Sequence, residues 1–146
     1  MIGASVGEIT QRSSLYASEP WGFEAPVHFL NRVLRVETSL EPQEILNKTQ
    51  KIEKSLGRTE KSTNGRYASR TLDIDILYFN FSIIRLPGLI IPHPRLHDRR
   101  FTLLPLAEIA PEWIHPLLKR NSRQLLAECK DKGKVWKFKE TPSHAV

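Results

Sequence analysis

TLDIDILYF, residues 71–79, is the stretch on which the fold reading turns. Leu72, Ile74, Ile76 and Tyr78 alternate with Asp73 and Asp75, the period-2 signature of a half-buried strand. Alternate side chains of a strand share a face, so the two carboxylates stand on one side, roughly 7 Å apart at Cα. The apolar set turns the other way, into a core. Two like charges on one face repel unless a cation sits between them. Hard cations such as Mg²⁺ take carboxylate oxygens and keep water and substrate phosphates as remaining ligands. The pair is also compatible with the solvated acidic face of an ordinary amphipathic strand.

The segment just upstream, GRTEKSTNGRYASR (57–70), has no apolar pattern and reads as a long, mobile, basic loop of the kind that usually carries function. It contains Arg58, Arg66 and Arg70. Guanidinium forks match phosphate oxygens. Phosphoryl transfer divides labour in this way, with cations on the phosphates and carboxylates on the metals. Simple ion pairing between these arginines and the aspartates is the other reading. Before the loop, Pro42 suits a first helical position and Gly57 a stop. Between them Ile45, Leu46, Thr49, Ile52 and Leu56 make a core-facing stripe, while Gln50 and Glu53 share an adjacent face.

Downstream, RLPGLIIPHPRLHDRRF (85–101) reads as extended chain broken by prolines. His93 stands between two of them, either a rigidly presented donor to a phosphate oxygen or a structural turn residue. Arg95, His97, Arg99 and Arg100 continue a basic wall. FTLLPLAEIAPEW (101–113) reads as a short helix interrupted or bounded by Pro105 and Pro111. Ser122 is placed to cap a last helix, and Val135, Trp136 and Phe138 suggest a closing strand. At the front, 8–16 and 27–38 read as strands around the loop SEPWGFEAP (18–26). Helices and strands interleave without βαβ regularity. The expected class is therefore α+β, helices packed on a mainly antiparallel sheet, with no domain boundary across 1–146.

The chain has 146 residues, 40% hydrophobic and 26% charged, enough for a core without staples. No apolar run is long enough to span a membrane, and MIGASVGEIT lacks the pattern of a signal peptide. Cys129 is alone, so no internal disulfide forms, and a cytoplasmic setting is expected. The net charge of +6 favours an anionic partner such as a nucleotide, nucleic acid or acidic surface, unless the lysines serve only solubility. Trp21, Phe29, Tyr67 and Phe101 lie in or beside loops, and Asn31 shares a strand face with Phe29. They suit a flat heterocycle with its edge read by an amide, or simply a core. P-loop and G-x-G-x-x-G phosphate motifs, a zinc-ligand pattern and a nucleophile elbow are absent.

RYASRTLDIDIL (66–77) resembles the signature of the 6-hydroxymethyl-7,8-dihydropterin pyrophosphokinase family. Further matches run in order: SSLYASEPWGF (13–23), FLNRVLRVET (29–38), LNKTQKIEKSLGR (46–58) and IPHPRLHDRRFTLLPLAEIAP (91–111). The resemblance implies transfer of ATP's pyrophosphoryl group to the hydroxymethyl oxygen of the pterin, giving the pterin diphosphate and AMP in folate biosynthesis. Asp73 and Asp75 would hold two Mg²⁺ ions. Arg70 and Arg99 would clamp the triphosphate with His93 nearby, and Arg58 and Arg66 would arrive on the loop. Tyr67 stands where relatives usually have a closing tryptophan. Gln50, Glu53 and Ile76 match positions near ATP. The pterin would stack between Phe29 and Phe101, its edge read by Asn31 and the chain from Ser18 to Trp21. Phe29 is often tyrosine in relatives, so stacking survives while a hydroxyl contact is lost.

The partners implied are ATP and the pterin, with no nucleic acid and no membrane, and the expected state is a monomer. The resemblance also implies a ferredoxin-like sandwich. Relatives open on a strand ending in a G-S-N-x-G-type turn, followed by a helix. MIGASVGEI (1–9) matches the end of that helix and the start of the next strand. On this reading the chain is an N-terminally truncated single domain whose central first strand is missing, and low stability or weak activity is expected. The alternatives are a fragment that binds nucleotide without turnover and a basic nucleic-acid-binding module.

Overall fold

The computed structural model describes residues 2–19, 29–59 and 72–138. In chain order the elements are α1 (Ile2–Ser5), β1 (Glu8–Arg12), β2 (Tyr16–Ser18), β3 (Phe29–Asn31), β4 (Leu34–Glu37) and α2 (Pro42–Thr59). They continue with β5 (Ile84–Leu86), β6 (Leu89–Ile91), a 3₁₀ turn (Leu96–Asp98), α3 (Arg100–Ile109), α4 (Ser122–Glu128) and β7 (Val135–Lys137). β1 pairs with β4, β2 lies between β3 and β7, and β5 pairs with β6. The pairs β2–β3, β2–β7 and β5–β6 are antiparallel. The class is α+β, as expected. The chain forms two compact units, one of residues 1–10 and 36–93, the other of 11–35 and 94–146.

In the first unit α2 begins at Pro42, whose missing N–H costs nothing in the first turn. Its stripe faces inward as the spacing predicts: Ile45, Thr49 and Ile52 are buried, while Gln50 is exposed. The helix runs through Gly57 to Thr59, so Gly57 and Arg58 are helical rather than part of the loop. Glycine lowers helix propensity by only about 1 kcal/mol, too little to end a helix without a following cap. The stretch 85–101, expected as broken extended chain, contains a hairpin. Pro87 and Gly88 join β5 to β6, and Gly88 has φ 77°, the positive value a type II turn demands after proline. Leu89 and Ile91 face the core with Val6, Ile45 and Ile52.

A larger correction concerns 72–78, which is not a regular strand. A strand exists by pairing its amides and carbonyls, and among the described residues no segment forms a ladder along it. Backbone hydrogen bonds hold it at Ile74 and Leu77 instead. The Ile74 amide donates to Glu53 Oε1 (2.6 Å), and the Leu77 carbonyl accepts from the His93 amide (3.0 Å). Alternation survives from Asp73 to Ile76, aspartates exposed and isoleucines half-buried, whereas Leu72 is exposed.

In the second unit the expected strands 8–16 and 27–38 are each broken. The Ser13 amide donates to the Val33 carbonyl, and Ser13 Oγ accepts from the Val33 amide, both at 2.9 Å. A side-chain hydroxyl replaces a ladder carbonyl there, which ends regular pairing. Register then sets Tyr16 opposite Asn31 and Lys137, and Ser18 opposite Phe29 and Val135. α3 carries Pro105 in its interior and packs on β2 and α4. Leu96, Leu103, Leu106 and Leu125 are buried there. The cap of α4 is Asn121, not Ser122. Asn121 Oδ1 accepts from the Gln124 amide (2.9 Å), and Gln124 Oε1 accepts from the Asn121 amide (2.9 Å), a full capping box.

Candidate active site

The expected site residues divide between the two units. In the first, the Asp73 and Asp75 carboxylates are exposed on the segment that Glu53 and His93 tie down. His93 follows the cis Ile91–Pro92 peptide, and its Nε2 stands 3.7 Å from Asp75 Oδ1. Its side chain is 21% exposed and that of Asp75 52%, so the imidazole shields one flank of the carboxylate and leaves the rest open. Glu53 is half-buried and used by the Ile74 amide, while Gln50 is exposed on the same helix. Ile76 is half-buried, on the parity opposite the aspartates.

Among the described residues no three or more His, Cys, Asp or Glu side chains are arranged to cage a metal ion. Two accessible carboxylates form an incomplete, all-oxygen donor set. That fits Mg²⁺, which keeps water and ligand phosphates as its other partners, and does not fit a closed structural site.

The second unit holds Arg99, Phe101, Ser18, Phe29 and Asn31. The Arg99 guanidinium lies 5.5 Å from the Phe101 ring centroid, a cation–π contact that joins the expected phosphate clamp to the expected stacking ring. Ser18 is buried and opposite Phe29, which is 56% exposed, a large aromatic face turned to solvent. Asn31 is half-buried at the other end of the same pairing. Trp21, Arg66, Tyr67 and Arg70 lie outside the described residues, as do all residues from 60 to 71. Arg58 lies on α2.

Glu108 was not singled out by the sequence. Its Oε1 accepts from the Tyr16 hydroxyl (2.8 Å), its Oε2 accepts from the Ser14 amide (2.7 Å), and Lys137 Nζ is 3.8 Å away. One carboxylate thus fastens α3 to β2 and β7. Burial alone would raise its proton affinity, but the Ser14 and Tyr16 bonds and Lys137 bring the carboxyl below its ordinary value. Burial, then the bond to Glu108, pushes the Tyr16 hydroxyl up to about 12. Nothing in the sequence marked this residue, because its partners are remote in the chain.

The profile of the 7,8-dihydro-6-hydroxymethylpterin-pyrophosphokinase family matches residues 1–111. The chain belongs to this family. A 2-amino-4-hydroxy-6-hydroxymethyldihydropteridine pyrophosphokinase of Porphyromonas gingivalis is 45% identical over 117 residues, 80% of this chain and 79% of the relative. One from Aquifex aeolicus is 43% identical over 121 residues, 83% and 74% of the two chains. A folic acid synthesis protein of Dictyostelium discoideum is 36% identical over 135 residues, 92% of this chain but 20% of that much longer one. In this chain α4 and β7 lie beyond the family match, though both pack into the second unit. No helix among the described residues is long and apolar enough to cross a membrane.

Proposed function

We propose that Asp73 and Asp75 are the metal-holding carboxylates of this chain's reaction. That reaction is transfer of the pyrophosphoryl group of ATP to 6-hydroxymethyl-7,8-dihydropterin. The hydroxymethyl oxygen bonds to the β-phosphorus and loses its proton. The β-phosphorus separates from the oxygen that stays with the α-phosphate, and AMP leaves. Mg²⁺, two ions in this reading, supplies positive charge against the phosphate oxygens.

The protein's part is positioning and charge. Asp75 and Asp73 present oxygens on a segment held by Glu53 through the Ile74 amide, and His93 orients the flank of Asp75. Arg99 holds phosphate oxygens. Arg70, Arg66 and Arg58 add cations, with Gln50, Glu53, Tyr67 and Ile76 around the nucleotide. Phe101 and Phe29 stack the pterin, and Asn31, Ser18 and Trp21 read its edge. The protein works as a monomer in the cytoplasm.

The single observation that carries this reading is the pair of exposed carboxylates with one flanked by His93. The ordered family match over residues 1–111 supports it independently. Incubation with ATP, Mg²⁺ and the pterin should yield AMP and pterin diphosphate in equal amounts, and omission of any component should stop both. Formation of ADP instead would overturn the chemistry.

A further inference from the structure

Arg99 and Phe101 flank the start of α3, and Arg99 is its N-cap in extended backbone (φ −118°, ψ 111°) with no side-chain acceptor for the first-turn amides. The first amides of a helix have no partner within it. One is satisfied from outside: Asp131 Oδ2 accepts from the Arg100 amide at 3.1 Å. The other oxygen, Oδ1, accepts from the Gly133 amide at 2.8 Å, so the carboxylate is gripped from both ends. A Cβ added at Gly133 would come within 3.1 Å of Asp131 Oδ1, so a side chain there would crowd the carboxylate. The connection to α3 is firm as well, because α4, just before Asp131, packs on α3 through the buried Leu125. Asp131 lies beyond the residues that match the family.

We propose that Asp131 is a positioning residue for Arg99 and Phe101, fixing through the Arg100 amide the first turn that carries both. This rests on the roles given to those two residues under the proposed function. Because the guanidinium sits over the ring, one disturbance of the turn moves the phosphate clamp and the stacking surface together. A residue that only stabilised the fold would not couple the two substrates in this way.

The test uses the full chain, with AMP formation by the wild type measured first. No AMP from the wild type would overturn the functional reading, and amide hydrogen exchange at Arg100 would then decide the grip alone. Asp131→Ala should raise KM for ATP and for the pterin together, each roughly tenfold, and speed exchange at Arg100 by a similar factor, the usual scale of a lost cap. Asp131→Asn, whose amide oxygen keeps one acceptor, should raise both by about threefold. It carries the same comparison if the alanine variant does not fold. A lower kcat with both KM values unchanged would assign Asp131 a structural role only and overturn the proposal. So would unchanged exchange at Arg100.

Discussion

At the scale of single residues, hydrogen bonding separates open charged side chains from those that hold the fold. Among the described residues, Asp75 has an open carboxylate with the His93 imidazole on one flank, and no backbone amide depends on it. Asp75→Asn should therefore keep the fold while lowering kcat on the order of 10³-fold, as removal of a preorganised charge does. Unchanged far-ultraviolet circular dichroism with collapsed AMP formation is the expected pair of results. Glu108 and His115 are the opposite case. His115 is buried, and its Nδ1 accepts from the amides of Leu117 (3.2 Å) and Leu118 (3.0 Å), which requires that nitrogen to be unprotonated. Burial, with His97 as a lesser cause, puts its proton affinity below the ordinary 6.5.

The unfolded chain thus binds a proton at His115 before the folded one does as pH falls. The stability this group contributes is complete above about 6.5 and is lost as pH drops through the folded value. Glu108, also lowered, contributes fully above its ordinary 4.5 and loses that contribution at lower pH. Melting temperature against pH should fall in two steps. His115→Asn should remove the step nearer neutrality and Glu108→Gln the more acidic one. A single acid transition unaffected by His115→Asn would contradict this assignment.

At the scale of elements, success of the sequence reading follows the range of the interactions. α2 was legible because its stripe of Ile45, Thr49 and Ile52 and the start at Pro42 are local signals. β7 was legible from Val135 and Trp136 for the same reason. Residues 72–78 misled because alternation reports burial parity, whereas a strand also needs a neighbour to pair with, and parity cannot supply one. The β5–β6 hairpin was hidden because its prolines read as breaks, although Pro87–Gly88 is a turn signal as well. Asp73 and Asp75 could be picked out as candidates from spacing. Glu108 and Asp131 could not, since their partners Tyr16 and Arg100 are remote in sequence.

The cap of α4 was missed by one position, Asn121 instead of Ser122, because both residue types favour caps and only the Gln124 partner decides between them. That decision is measurable. Asn121→Ala should destabilise the protein by about 1 kcal/mol, a fall of a few degrees in melting temperature, and Ser122→Ala should not reproduce it through capping.

At the scale of the whole molecule, the net charge of +6 acts over distances that single contacts do not reach. ATP with its magnesium is an anion and the pterin is neutral, so the field of the protein should speed encounter with one substrate and not the other. Screening shortens to about 8 Å at physiological ionic strength and lengthens to about 30 Å in dilute buffer. At constant free Mg²⁺, raising added salt between these limits should lower kcat/KM for ATP several-fold while leaving KM for the pterin nearly unchanged. A nucleic-acid-binding module would show a different pattern, steep loss of RNA affinity with salt and no substrate asymmetry. Steady-state kinetics with each substrate varied in turn, at four or more salt concentrations, separates the two. Equal salt dependence for both substrates would mean that the basic surface does not steer ATP, and its charge would then have to be explained by solubility.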